Sequence, residues 1–168
     1  MSDARQAYPL HVFRFQVDFE VDSLNGNDKG SAMPLCSGAF AECSGLEATM
    51  EPRVIKEGGL NYGVHQRVGP VTFATVILKR GMTSSRDLWT WFELSSRRGG
   101  YTYRLAAIIT MFDIQGKAVL AWRLERALPV KFKAADLNAR GTEVGVEELH
   151  LAHEGLTFIA TPQRSSLQ

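Results

Sequence analysis

From Val12 to Val21 the chain alternates without a break, with Phe13, Phe15, Val17, Phe19 and Val21 set against Arg14, Gln16, Asp18 and Glu20. Successive side chains of a strand point to opposite faces, so this run makes a strand with one face in a core and the other in water or against a neighbour. The same period returns from Ala121 to Leu128, where Trp122, Leu124, Arg126 and Leu128 alternate with Arg123, Glu125 and Ala127, broken on one face by the charge of Arg126. Pro129 has no N–H for a central ladder. It marks an edge, a bulge or a strand start, with Val130 to Lys133 resuming pairing beyond it.

Between these runs the strand signal dominates. Ser37 to Ser44 reads as a second strand, and Leu46 to Lys56 as an extended segment, the arm of a hairpin. Gly58, Gly59, Gly63 and Gly69 make the following stretch a loop. Val71 to Lys79 is apolar or β-branched almost throughout, which predicts one strand buried on both faces and central to a sheet. Thr102 to Asp113 and Ala118 to Leu128 form a hairpin around Gln115 and Gly116. Asp136, Asn138 and Gly141 are turn formers and make a loop. From Thr142 a strand places Val144 and Val146 on one face and Leu149 and Leu151 on the other. That phase change at Glu147 and Glu148 predicts a β-bulge.

A helical period occurs once. Ser84 or Ser85 caps it, Asp87 sits in its first turn, Leu88, Trp91 and Phe92 form one apolar stripe, and Arg97 and Arg98 precede a stop at Gly99 and Gly100. About seven or eight strands with one helix give a mainly β fold, an antiparallel sandwich or barrel with the helix flanking it. Residues 1–160 are read as one domain and 161–168 as a disordered polar tail.

Composition closes off several functions. Lys and Arg number 19 against 18 Asp and Glu, so the basic excess that tracks a phosphate backbone is missing and no specific nucleic-acid binding is expected. No run approaches the roughly 20 apolar residues of a membrane helix, and the N-terminus lacks a leader pattern, so folding in the cytoplasm is expected. Cys36 and Cys43 are too few for a disulfide framework and read as small buried or half-buried thiols.

Candidate chemistry is sparse. His150, His153 and Glu154 have a ligand-like spacing, but on a strand residues three apart point to opposite faces, so no metal site is expected and these groups end the strand with local or intersubunit hydrogen bonds. His11 and His65 are isolated and read as surface or loop groups. Ser37 and Ser44 lack the strand-to-helix elbow of a nucleophile, and the Glu147 and Glu148 carboxylates face apart. The glycines between Glu57 and Gly63 form no phosphate loop. No catalytic residue and no cofactor is expected. Trp91 and Trp122 lie on apolar periodicities and belong to the core, whereas Trp89 is off the helix stripe and is the better interface anchor.

Four pieces of the chain carry a resemblance. They are F-A-E-C-S-G-L-E from Phe40 to Glu47, E-G-G from Glu57 to Gly59, L-K-R-G-M-T-x-x-x-D-L-W-x-W from Leu78 to Trp91, and a C-terminal set. The last is a strand led by Trp122, A-x-P-x-K at Ala127, Pro129 and Lys131, D-L-N-A from Asp136 to Ala139, and E-x-L-x-L-A-H-E-G-L from Glu147 to Leu156. In this order, over Val12 to Leu156, they resemble the inner-tube proteins of contractile phage tails and of phage-tail-like extracellular injection systems. The resemblance implies a ring-forming tail-tube fold. Six-membered rings join their sheets around a lumen, stack from a baseplate inside a sheath, and are driven through a target envelope when the sheath contracts.

The implied partners are further copies of the chain, a sheath protein, baseplate hub or adaptor proteins, and cargo in the lumen. The particle is assembled in the cytoplasm and then released or anchored. Leu24 to Pro34 is longer than in the shortest family members, which leaves open a repeating tube subunit or a specialised first ring on the baseplate. For ring stacking or subunit contact the candidates are Leu46, Glu47, Met50, Glu51, Val54, Glu57, Gly58 and Gly59, with Trp89, Glu148, His150 and His153. The alternative is a monomeric β-barrel that binds a small ligand or carbohydrate in its interior.

Overall fold

The computed structural model describes residues 14–22, 40–59, 62–97 and 104–160. Phe13, His11, Cys36, the Leu24 to Pro34 connection, the helix stop at Gly99 and Gly100, and the tail from 161 lie outside the described residues. Among the described residues, eleven strands and one helix follow one another: β1 (Phe15–Val21), β2 (Glu42–Ser44), β3 (Ala48–Met50), β4 (Arg53–Ile55), β5 (His65–Arg67), β6 (Val71–Phe73), β7 (Val76–Gly81), α1 (Asp87–Ser96), β8 (Leu105–Phe112), β9 (Ala118–Lys133), β10 (Val146–Ala152) and β11 (Gly155–Ile159). Every pairing is antiparallel.

β9 organises the fold because it belongs to two layers. Its first part pairs β8 on one side and β11 on the other, and β8 in turn pairs β1. Its last part pairs β10, which leads to β7 and β2. The change of layer falls at Arg126, which has φ 48°, a left-handed conformation that ordinary residues avoid. The strand therefore runs through Pro129 rather than stopping there. Opposite Pro129 the pairing with β10 shifts register between His150 and Leu151, the irregularity a missing N–H requires.

Core side chains come from both layers. Val17 and Phe19 of β1, Ile109 of β8, Leu124 of β9, Val76 and Leu78 of β7 and Leu149 and Leu151 of β10 form one buried cluster. α1 adds Leu88 and Trp91, and Trp91 meets Phe19 edge to face at 5.4 Å between centroids. Trp122 is partly buried against this core and stacks on Phe158 at 5.4 Å.

Several sequence expectations need correction. The stretch from Val71 to Lys79 is two strands, with Val71 half exposed on β6 and only β7 in the sandwich, because Ala74 and Thr75 lead from a protruding ladder into the core. The glycine-rich stretch after Glu57 holds β5, which pairs β4. The helix starts at Asp87 rather than Ser84 or Ser85, with Arg86 at its cap position and no side-chain cap; Ser85 Oγ accepts the Asp87 N–H at 3.4 Å.

The bulge expected at Glu147 and Glu148 does not occur. β10 begins at Val146 and pairs β7 in continuous register, with Glu147, Leu149 and Leu151 all facing the core. The apparent phase change arose because Glu147 is a buried charge, which an apolar pattern counts as surface. The strand count is higher than expected because four three-residue strands make up a separate arm.

Candidate functional site

The described surface carries an arm that the core does not explain. Between Gly45 and Thr75 the chain leaves the sandwich, runs out as β3 and β4, and returns as β5 and β6. Its foot is fixed by backbone contact: the Ala74 N–H donates to Glu47 O at 3.1 Å, and Gly45, at φ 88°, lies so close to the Thr75 carbonyl that a Cβ would collide with it. Leu46 is partly buried against the core, so it anchors this arm. Halfway out, Gly69 packs against the Glu51 carbonyl where no side chain fits.

The arm's register sorts its side chains by face. Ala48 pairs Phe73 and Met50 pairs Val71, which puts an apolar ledge on one face, while Thr49 and Thr72 lie on the other and are linked by Thr72 Oγ1 donating to Thr49 O at 3.3 Å. Glu47 accepts from Thr49 Oγ1 at 3.4 Å. Farther out, Arg53 stands opposite Arg67 and Val54 opposite Gln66. His65 Nε2 and Glu57 are 2.9 Å apart near Gly58 and Gly59, the latter at φ 96°. Met50, Val54, Ile55, Val64, Val68 and Val71 are all exposed. A lone two-stranded ladder is marginal in water, so a bare apolar ledge is an unfinished surface.

At the foot of the ledge stands His153, whose ring packs against Phe73 at 5.3 Å. Its Nδ1 lies 2.9 Å from Gly155 O, and Nε2 is buried without a hydrogen bond in the structure. His150 and Glu148 share the opposite face of β10 from the core and are 3.4 Å apart. The hydrogen bond from His150 holds the Glu148 carboxyl below its usual value; desolvation opposes this, and Lys133 and Lys79 add to it. Glu148 lies between Lys79 on β7 and Lys133 on β9, and Lys79 also reaches Glu42 at 3.1 Å. This face is a neutralised charge row. Among the described residues no group of three His, Cys, Asp or Glu side chains could hold a metal.

A second exposed region lies at the other end of β7 and β10. Trp89 is 46% exposed and packs at a tilt on Phe92 at 5.7 Å and edge to face on Phe132 at 5.6 Å. With Met82 and Ala134 it borders a groove of about 610 Å3, and Met82 is shared with a neighbouring hollow of about 790 Å3 under the 133–146 loop. Beneath the groove, Arg80 is buried between Glu147 and Asp87, bonding both; Nη2 to Asp87 Oδ1 is 2.6 Å. Burial acts to lower the Arg80 pKa, but the hydrogen bonds and charges of Asp87 and Glu147 outweigh it and the net direction is up. Arg80 thereby ties β7, β10 and the start of α1 together. Sequence reading missed Arg80 and Glu147; the signal was a charge in phase with Val76, Leu78, Leu149 and Leu151.

Residues 11–157 match the family of the T4-like virus tail tube protein gp19. The chain belongs to the tail tube family. A comparison with curated protein sequences finds no match. Among solved structures, this tail tube protein is similar to a chain of the anti-feeding prophage baseplate, at 26% identity and a TM-score of 0.73 over 91% of this chain and 97% of that one. It also shares its fold with a chain of the sheath-tube complex of the PVC extracellular contractile injection system, at 19% identity and a TM-score of 0.69, covering 92% and 93%. A chain from that system's sheath and tube terminator gives 18% identity and 0.70, covering 92% and 99%. Family and fold are thus those of structural tube proteins, and the small-ligand barrel is not favoured. No helix among the described residues is long and apolar enough to cross a membrane.

Proposed function

We infer that this chain is a ring-forming subunit of the inner tube of a contractile injection particle, placed at the baseplate-proximal end of that tube. The observation that carries the ring-forming part is the arm, a pair of two-stranded ladders whose apolar ledge stays exposed at Met50 and Val71 beyond the contact of Phe73 with His153. The position next to the baseplate is supported by the 26% identity to a baseplate chain, against 19% to a sheath-tube chain.

In this reading the arm segment from Leu46 to Gly59 makes the contact between rings, and Trp89 serves a subunit contact. Glu148, His150 and His153 lie at or near a seam between copies. Six copies close a ring, and the particle is assembled in the cytoplasm. The sheath and the baseplate proteins are neighbours, and cargo passes through the lumen. Rigidity comes from backbone pairing and buried apolar area, so the tube does mechanical work without catalysing a reaction.

The test is a copy count in the purified particle by quantitative mass spectrometry against the sheath protein. A baseplate-proximal ring gives a small, fixed number of copies whatever the particle length. Copies that scale with tube length make the chain the repeating subunit and overturn the assigned position.

A further inference from the structure

The arm and the Trp89 groove sit at opposite ends of one ladder. β7 leaves the arm at Val76 and ends at Gly81 beside Met82, while β10 starts opposite Gly81 at Val146 and ends beside the arm foot at His153. Six residues of extended chain separate the two regions by roughly 20 Å. No described arm residue lines the groove in the same molecule. Two different patches at opposite ends of one chain are what a head-to-tail contact needs, since each copy then offers one patch forward and the other back.

The chemistry of the two ends is complementary. On the arm, Arg53 and Arg67 face each other across the β4–β5 ladder, and among the described residues neither makes an ion pair. Like charges directly opposite one another destabilise a ladder unless a carboxylate comes between or beside them. At the other end, the hollow that adjoins the groove is lined by Asp136, Glu143 and Glu148 against Lys133 and Arg140. Asp136 is 95% exposed and its contact with Lys133 is a loose 3.8 Å. Beside these acids, Met82, Trp89 and Phe132 offer apolar surface to the arm's Val54, Ile55 and Val64.

We propose that the outer ladder of the arm docks into the Met82–Trp89–Phe132 groove of a second copy of this chain, with Arg53 and Arg67 meeting Asp136 and Glu143. The contact runs along the direction of β7 and β10, so it propagates copies along that axis. This rests on the tube reading above and names the receiving site for the arm.

Charge reversal tests it. R53E/R67E and D136K/E143K each lose stacking, with the concentration needed for tubes or stacked rings rising about tenfold or more. The chain carrying all four reversals regains it. An equimolar mixture of the two double variants regains stacking as alternating copies, because the reversed arm of one meets the reversed patch of the other and their unaltered ends meet each other, whereas neither double variant stacks alone. Circular dichroism checks that all variants keep the wild-type β signal, as these four exposed side chains predict. Double variants that stack like the wild type, or a fourfold variant that fails while folded, overturn the arm-to-groove contact while leaving the tube reading intact. A wild-type chain that never forms rings or stacks overturns both.

Discussion

The Asp22 carboxylate accepts the backbone N–H of Arg126 at 3.0 Å, across 104 residues of sequence, where β9 passes from one layer to the other. Around the same point the Asp22 N–H donates to Arg104 O at 3.1 Å, Arg104 Nη1 donates to Arg126 O at 3.3 Å, and Glu154 receives both Arg104 and Arg126, at 2.7 and 2.5 Å. A backbone in the left-handed region at a non-glycine residue costs about 1–3 kcal/mol and persists only where its surroundings fix it. Asp22, only 5% exposed, is one of the groups that fix it.

Replacing Asp22 by Ala leaves the Arg126 N–H without its partner, at a cost of about 1–3 kcal/mol. Arg126→Gly removes the strained backbone and gives up only a half-exposed ion pair, so its stability stays within about 1 kcal/mol of wild type. Urea unfolding of both variants separates the two roles. Equal losses from both substitutions contradict the assignment of Asp22 as the group that holds this turn.

Arg80 makes the opposite kind of prediction. Arg80→Met leaves Glu147 buried without its cation, and breaking such a pair costs about 3–5 kcal/mol. The double variant R80M/E147L removes both charges and recovers most of that loss. A thermal or urea series that finds the double variant no more stable than R80M contradicts the pairing.

Cys43 gives a pH dependence. Burial pushes its thiol up to about 11 from an ordinary 9.0. A folded state that holds its proton more tightly than the unfolded chain loses stability as pH rises. The contribution is unchanged below 9, falls between 9 and 11, and levels off above. Stability of wild type measured against Cys43→Ala should diverge in that window. Alkylation of the Cys43 peptide at pH 8 should also be about a hundredfold slower than for an exposed thiol. Rapid labelling of Cys43 in the folded chain contradicts this.

At the arm, Val54 is 55% exposed and Val54→Asp changes stability by less than about 0.5 kcal/mol. Its predicted effect is on assembly alone, whereas deleting Met50 to Val54 takes out paired arm strands and removes stacking with them. Rings persist and long stacks disappear when either variant is viewed by electron microscopy. Intact long tubes from the deletion contradict the assignment of the arm to stacking.

How far the sequence could be read follows from what each element asks of its residues. β1 was legible because its faces differ sharply in polarity, and the β8–β9 hairpin because long apolar runs flank a turn that carries its glycine, at φ 82° for Gly116. β10 was misphased because Glu147 is satisfied by Arg80, a partner 67 residues away that no local pattern reveals. The arm was legible as extended chain before Gly58. Its returning strand β5 was not, since His65, Gln66 and Arg67 have no buried face to impose a period. The Trp89 groove was legible only as a tryptophan out of phase with its helix, because Phe132 reaches it from a distant part of the chain.

Negative-stain electron microscopy of the purified, concentrated chain, with its mass in solution, tests the central claim most directly. The account predicts six-membered rings, alone or stacked, and a mass at least that of a hexamer. A particle that stays a strict monomer at high concentration contradicts it.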